Sequence, residues 1–127
     1  MNYLLVAIGG AIGSVARYAF ALSVAAITGP GFPYGTVLIN IAGSFVIGWF
    51  SAWSARYGGH PMTENARAFV MAGLCGGFTT FSAFSLQTME LLRAGETGRA
   101  MANVGVSVVV CIAATAAGLR LAGAAGP

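Results

Sequence analysis

From Tyr18 to Ala55 the chain carries no charged residue, and the same is true from Ala68 to Met89 and from Ala100 to Leu119. A stretch of that length without charge cannot be the surface of a water-soluble fold, and about 20 such residues in a helix cross a bilayer. The composition agrees: 57% of the residues are hydrophobic and 7% are charged, the charges being three glutamates and six arginines. With 127 residues, the chain has room for four helical crossings and short connections, and none for an extramembrane domain.

The punctuation predicts where the crossings lie. The first helix is expected over about 3–25, and the turn-rich segment Thr28–Pro33, with Pro30 and Pro33, cannot continue it. The second is expected over 34–53. The polar stretch Ser54–Glu64 follows, and Thr63-Glu64-Asn65 offers N-cap chemistry for a third helix over 66–92, with Arg67 at its entrance. The connection Arg93–Arg99 leads to a fourth over 100–121. The N-terminal run has no cationic region before it, so the first helix is read as a retained span rather than a cleaved signal. The fold class is an all-α membrane protein, a single transmembrane domain over 1–127.

Four crossings put both termini on one side, which also holds Arg56, Arg67 and Arg120; the other side has Arg93 and Arg99, with Arg17 nearer to it. Since an excess of Lys/Arg in short loops orients a membrane protein, so even a division allows insertion both ways up. An up copy and a down copy would then pair about a two-fold axis in the membrane plane; one fixed orientation is an equal alternative on charge alone. Gly9 with Gly13, Gly10 with Ser14, and Ser44 with Gly48 have the small-xxx-small spacing that lets membrane helices approach closely.

The segment Gly73–Ser85 weakens a continuous helix, with paired glycines and four hydroxyls in mid-span. Backbone groups freed there cannot face lipid; they must be buried, line a path or hold an ion. Gly76 and Thr79 are the natural carbonyl donors, and two antiparallel copies would converge four carbonyls into a cage for a hard monovalent cation. The alternative is a kinked, packed helix. Phe78, Phe81 and Phe84 share a face if the helix resumes, as core or as edge-on rings around a small anion. Thr36, Asn40 and Ser44 on the second helix, and Asn103, Ser107, Cys111 and Thr115 on the fourth, form two polar stripes at four-residue spacing. A buried carboxamide is costly unless paired, so Asn40 and Asn103 each mark a pathway or a helix contact. Arg17, well inside a span, either draws anions to a vestibule or snorkels to the interface.

Other functions are disfavoured. No carboxylate lies deep in a span, which removes the usual group for proton-coupled export. No nucleophile–base pair, metal-ligand cluster or phosphate loop is visible, so an enzyme is not expected. The net charge of +3 is too small and scattered for nucleic acid. Cys75 and Cys111 sit within spans and read as packing residues, not a disulfide framework.

Gly9-Gly10 through Arg17-Tyr18, Gly35-Thr36 through Asn40 to Phe45, and Gly76-Gly-Phe-Thr79-Thr-Phe81-Ser-Ala-Phe84-Ser occur in order along the chain. In combination they resemble the CrcB/Fluc fluoride channels. The resemblance implies an antiparallel dual-topology homodimer in the bacterial cytoplasmic (inner) membrane, passively exporting fluoride and protecting the cell from its toxicity. It implies two pores and a structural sodium ion on the main-chain carbonyls of Gly76 and Thr79. It makes Phe81 and Phe84 the pore phenylalanines, Asn40 a pore donor, Ser82 and Ser107 hydroxyls along the path, and Arg17 a vestibule residue; Asn103 is placed with this pore set. Family members often have Thr at Ala83 and an aromatic residue at Asn103. The competing readings are a small multidrug-type exporter, matching in size and span number but lacking the embedded acid, and a structural membrane subunit, which leaves the polar stripes unexplained.

Overall fold

The computed structural model describes residues 1–124, all helical apart from short connections. Four helices are long and apolar enough to cross a membrane. The first, α1, is Asn2–Thr28, and its last turn closes where the Gly29 N–H returns to the Ala25 carbonyl at 2.9 Å. Gly29 then takes φ 71°, a left-handed conformation that a side chain would resist. The second, α2, is Tyr34–Ala55, entered from Pro33.

The third crossing, Pro61–Arg93, is built from pieces. It opens with α3, Pro61–Arg67, five residues earlier than the hydroxyl at Thr63 suggested. His60 is the N-cap, its ring Nδ1 accepting from the Met62 N–H at 3.3 Å, and Pro61 occupies a first-turn position where no N–H is needed. Ala68–Cys75 is wound as a wider π-helix, which apolar periodicity does not announce. One turn, α4 (Gly76–Phe78), ends at two extended residues, Thr79 (φ −79°, ψ 156°) and Thr80 (φ −152°, ψ 113°). Helix resumes as α5, Phe81–Arg93, because the Thr80 hydroxyl accepts from the Ala83 N–H at 3.2 Å and caps it. The last helix, α6, is Thr97–Ala124.

Two packing arrangements hold these pieces together. Along α2 and α6 the backbones meet directly: a Cβ at Gly48 would collide with the Thr115 carbonyl, and one at Gly118 would fall 2.7 Å from the Trp49 amide nitrogen. The Thr115 hydroxyl donates across this seam to the Ser44 carbonyl at 3.1 Å. At its far end the Arg56 guanidinium donates to the Ala122 and Gly123 carbonyls. On the other side, α1 lies against the π-helical segment and α4, where a Cβ on Gly9 would come within 3.0 Å of the Gly73 Cα. The small-residue pairs therefore mark real close approaches.

Few large side chains are buried. Ile39 is enclosed, while Tyr3, Val15, Tyr18, Ile27, Val109 and Ile112 are among many apolar residues on the outside. Such a surface suits lipid and partner helices, not water. Trp49 stacks on Trp53 at 6.2 Å between ring centroids, and Trp53 leans on Tyr57 at 5.3 Å, an aromatic ladder at the end of α2 of the kind found at membrane interfaces.

Candidate functional site

Asn40 and Ser44 of one polar stripe and Ser107 and Cys111 of the other meet beside the extended link in the third crossing. An open groove of about 370 Å³ is lined there by Asn40, Ser44, Thr79, Thr80, Phe81, Phe84 and Ser107, with Cys75, Cys111 and small or aliphatic side chains between them. Its polar groups are an amide and hydroxyls, and no carboxylate lines it. Both cysteines are free thiols.

Asn40 does more than line the wall. Its Nδ2 donates to the Thr80 carbonyl at 3.1 Å, and its Oδ1 accepts from the Thr80 N–H at 2.8 Å. The carboxamide thus occupies both backbone groups of an extended residue that neither flanking helix can serve. Arg17 acts nearby from α1. Its Nε donates to the Gly77 carbonyl at 3.1 Å, and the Ser14 hydroxyl reaches the same oxygen at 3.5 Å. Arg17 is therefore bonded to the third crossing, off the groove wall.

Phe81 and Phe84 stand together with ring centroids 5.4 Å apart and planes at 49°. Phe81 is 79% exposed in the single chain, so its ring projects from the protomer. Phe78 does not join them. The extended residues intervene, and it packs edge-on against Phe20 of α1 at 6.4 Å, so the expected three-ring face is a pair. Ser82 is exposed and stays with Thr80, their hydroxyls 3.3 Å apart, off the groove wall.

Asn103 is 1% exposed, behind the wall. Its Nδ2 donates to the Thr88 hydroxyl at 2.9 Å, Thr88 donates to the Phe84 carbonyl at 2.7 Å, and the Ser107 hydroxyl points back to Asn103 Oδ1 at 3.5 Å. This chain ties α6 to α5 directly behind Phe84. Ala83 adds no hydroxyl there. Sequence reasoning missed Thr80, Thr88 and Ser14; a threonine three residues before Ala83 at a helix restart is an N-cap signal that would have found the first.

Residues 4–119 match the family described as CrcB-like protein, Camphor Resistance (CrcB). The chain belongs to this family. CrcB-family relatives named "Fluoride-specific ion channel FluC" include one from Methylocella silvestris, 54% identical over 90% of this chain and 87% of the relative. Another, from Gluconobacter oxydans, is 54% identical over 91% and 80% respectively, and one from Caulobacter vibrioides is 44% identical over 94% and 93%. With four apolar crossings and bacterial relatives, this CrcB-family chain is a multi-pass protein of the bacterial inner membrane.

Proposed function

We propose that the chain forms a fluoride-selective channel that lets fluoride leave the cell passively and so protects it from fluoride. The observation that carries the reading is the groove: a phenylalanine pair, a carboxamide and hydroxyls converge on one open groove of a membrane bundle, with no carboxylate among them. A small anion must shed water to pass a narrow apolar path. Ring edges, which are electropositive, and N–H and O–H donors replace that hydration without holding the ion as tightly as a guanidinium would. The names of the relatives support the same ion.

The proposal includes assembly. The projecting Phe81, exposed Gly76 and apolar outer surface leave the single chain with a face suited to a second copy, and the even division of arginines favours an oppositely oriented one. It also includes a sodium ion on the carbonyls of Gly76 and Thr79. The residues fit such an ion. In an unbroken helix the Gly76 carbonyl would take the Thr80 N–H, which here goes to Asn40, and the Thr79 carbonyl would take the Ala83 N–H, which here goes to the Thr80 hydroxyl. Both oxygens are released from their helical amides, and main-chain carbonyls are the donors a hard cation prefers. Bound there, the ion would offset the dipoles of the converging carbonyls of two copies.

Growth tests the reading in the cell. A bacterium stripped of its own fluoride exporters should regain growth in millimolar fluoride when it makes this chain at native-like levels. Unchanged fluoride sensitivity, with the protein present in the inner membrane, would sink the proposal.

A further inference from the structure

We infer that Asn40 is a positioning residue: its carboxamide holds Thr80 out of the helix and so leaves the Gly76 carbonyl bare. The inference deepens the channel reading, because it assigns the formation of the bare carbonyl to one side chain of the same protomer.

An extended residue in mid-membrane has an N–H and a C=O that lipid cannot serve. The cheapest remedy would be to rewind, returning the Thr80 N–H to Gly76 and making the third crossing continuous. What opposes rewinding is a partner for both groups at once. Among side chains only Asn and Gln carry a donor and an acceptor in the arrangement of a peptide amide, so Asn40 stands in for a neighbouring strand. The two bonds, 3.1 and 2.8 Å, join residues forty apart in sequence and are partly shielded from solvent. Thr36 and Ser44, one turn away on the same stripe, carry a hydroxyl and could not bracket both groups.

The neighbouring contacts complete the arrangement. The Gly77 carbonyl is taken by Arg17 and Ser14, and the Ala83 N–H by the Thr80 hydroxyl. With these assigned, Gly76 is the carbonyl whose helical partner Asn40 removes. The bracket uses one of the two carboxamide N–H groups, so the groove receives the other at most. Asn40 therefore shapes the path mainly through the backbone it holds.

The test is NMR on the purified protein in lipid nanodiscs, without fluoride flux as a readout. The wild-type Thr80 Cα resonance should lie in the extended range. In Asn40→Leu, which keeps bulk and removes both bonds, it should move toward the helical range. In Asn40→Asp it should stay extended, because an acid in either protonation state still accepts from the Thr80 N–H. An extended Thr80 in Asn40→Leu would overturn the inference. Should the leucine variant not fold, the wild type still decides: one Asn40 side-chain N–H should exchange at least about tenfold more slowly than a free carboxamide, and equal, free exchange of both would overturn it. A wild-type protein that passes no fluoride would remove the channel reading and leave these exchange and shift results to stand or fall separately.

Discussion

The α2–α6 seam and the Thr79–Thr80 link solve the same problem, how to satisfy a backbone in lipid, in opposite ways. Along the seam two unbroken helices keep their backbone ladders internal and gain stability by approaching until backbone meets backbone at Gly48 and Gly118, with the Thr115 hydroxyl donating across to the Ser44 carbonyl. At the link the helix gives up its internal bonds, and side chains from elsewhere replace them: Asn40 from α2, Arg17 and Ser14 from α1, and the hydroxyls of Thr79 and Thr80 themselves. Where Gly48 and Gly118 close it, the seam leaves no room for an ion, although the same two helices turn Asn40, Ser44 and Ser107 into the groove beside the link. The link has groups to offer one, because its donors and acceptors come from separate elements and need not match one for one. Close packing and the groove are thus placed at different levels of the bundle, with α2 and α6 serving both.

That division can be attacked from the seam first. Gly118→Val would drive a side chain into the Phe45 carbonyl and the Trp49 amide, a backbone clash that no rotamer relieves. It should cost about 3 kcal/mol of stability, at the upper end of overpacking effects, read as a lowered unfolding midpoint in mixed micelles. An unchanged midpoint would mean that the seam is not where the fold is held.

The link should respond in the reverse sense. Phe81→Ala removes a ring that is 79% exposed in the protomer, so the protomer fold should barely change. Fluoride flux per molecule of protein should nevertheless fall at least about tenfold, equivalent to about 1.4 kcal/mol. Normal flux would take Phe81 out of the path.

A smaller effect is expected behind the wall. Asn103→Ala leaves the Thr88 and Ser107 hydroxyls without their partner, at about 1 kcal/mol of stability. Because the chain of bonds ends on the Phe84 carbonyl, flux should change with it; altered stability at constant flux would make Asn103 a helix tie alone.

Much of this architecture was legible in the sequence, for reasons particular to membranes. Charge-free runs mark crossings because lipid excludes charge, and the ends of α2 at 34 and of the third crossing at 93 fall within two residues of expectation. The first and fourth helices run longer, to Thr28 and from Thr97, because nothing between Ala25 and Gly29, or between Gly95 and Ala100, forces the chain to turn except those two glycines themselves. The start at Pro61 was hidden by a histidine acting as cap, a role that more often falls to Ser, Thr, Asp or Asn. In the site, four-residue spacing placed Asn40, Ser44, Ser107 and Cys111 on facing stripes, and the groove brings them together. What spacing cannot reveal is a bond partner: that Asn40 brackets Thr80, that Arg17 reaches Gly77, or that Asn103 turns to Thr88 depends on how two distant helices are rotated against each other. The π-helical stretch escaped for a related reason. Its sequence, Ala68–Cys75, is uniformly apolar, so no period distinguishes one winding from another.

Fluoride efflux from liposomes containing the purified protein, with a potassium ionophore to carry the compensating charge and chloride-loaded vesicles run in parallel, addresses the central claim most directly. Rapid fluoride release with chloride retained is the expected result. Fluoride held inside vesicles that contain intact protein, or chloride released as fast, would contradict it.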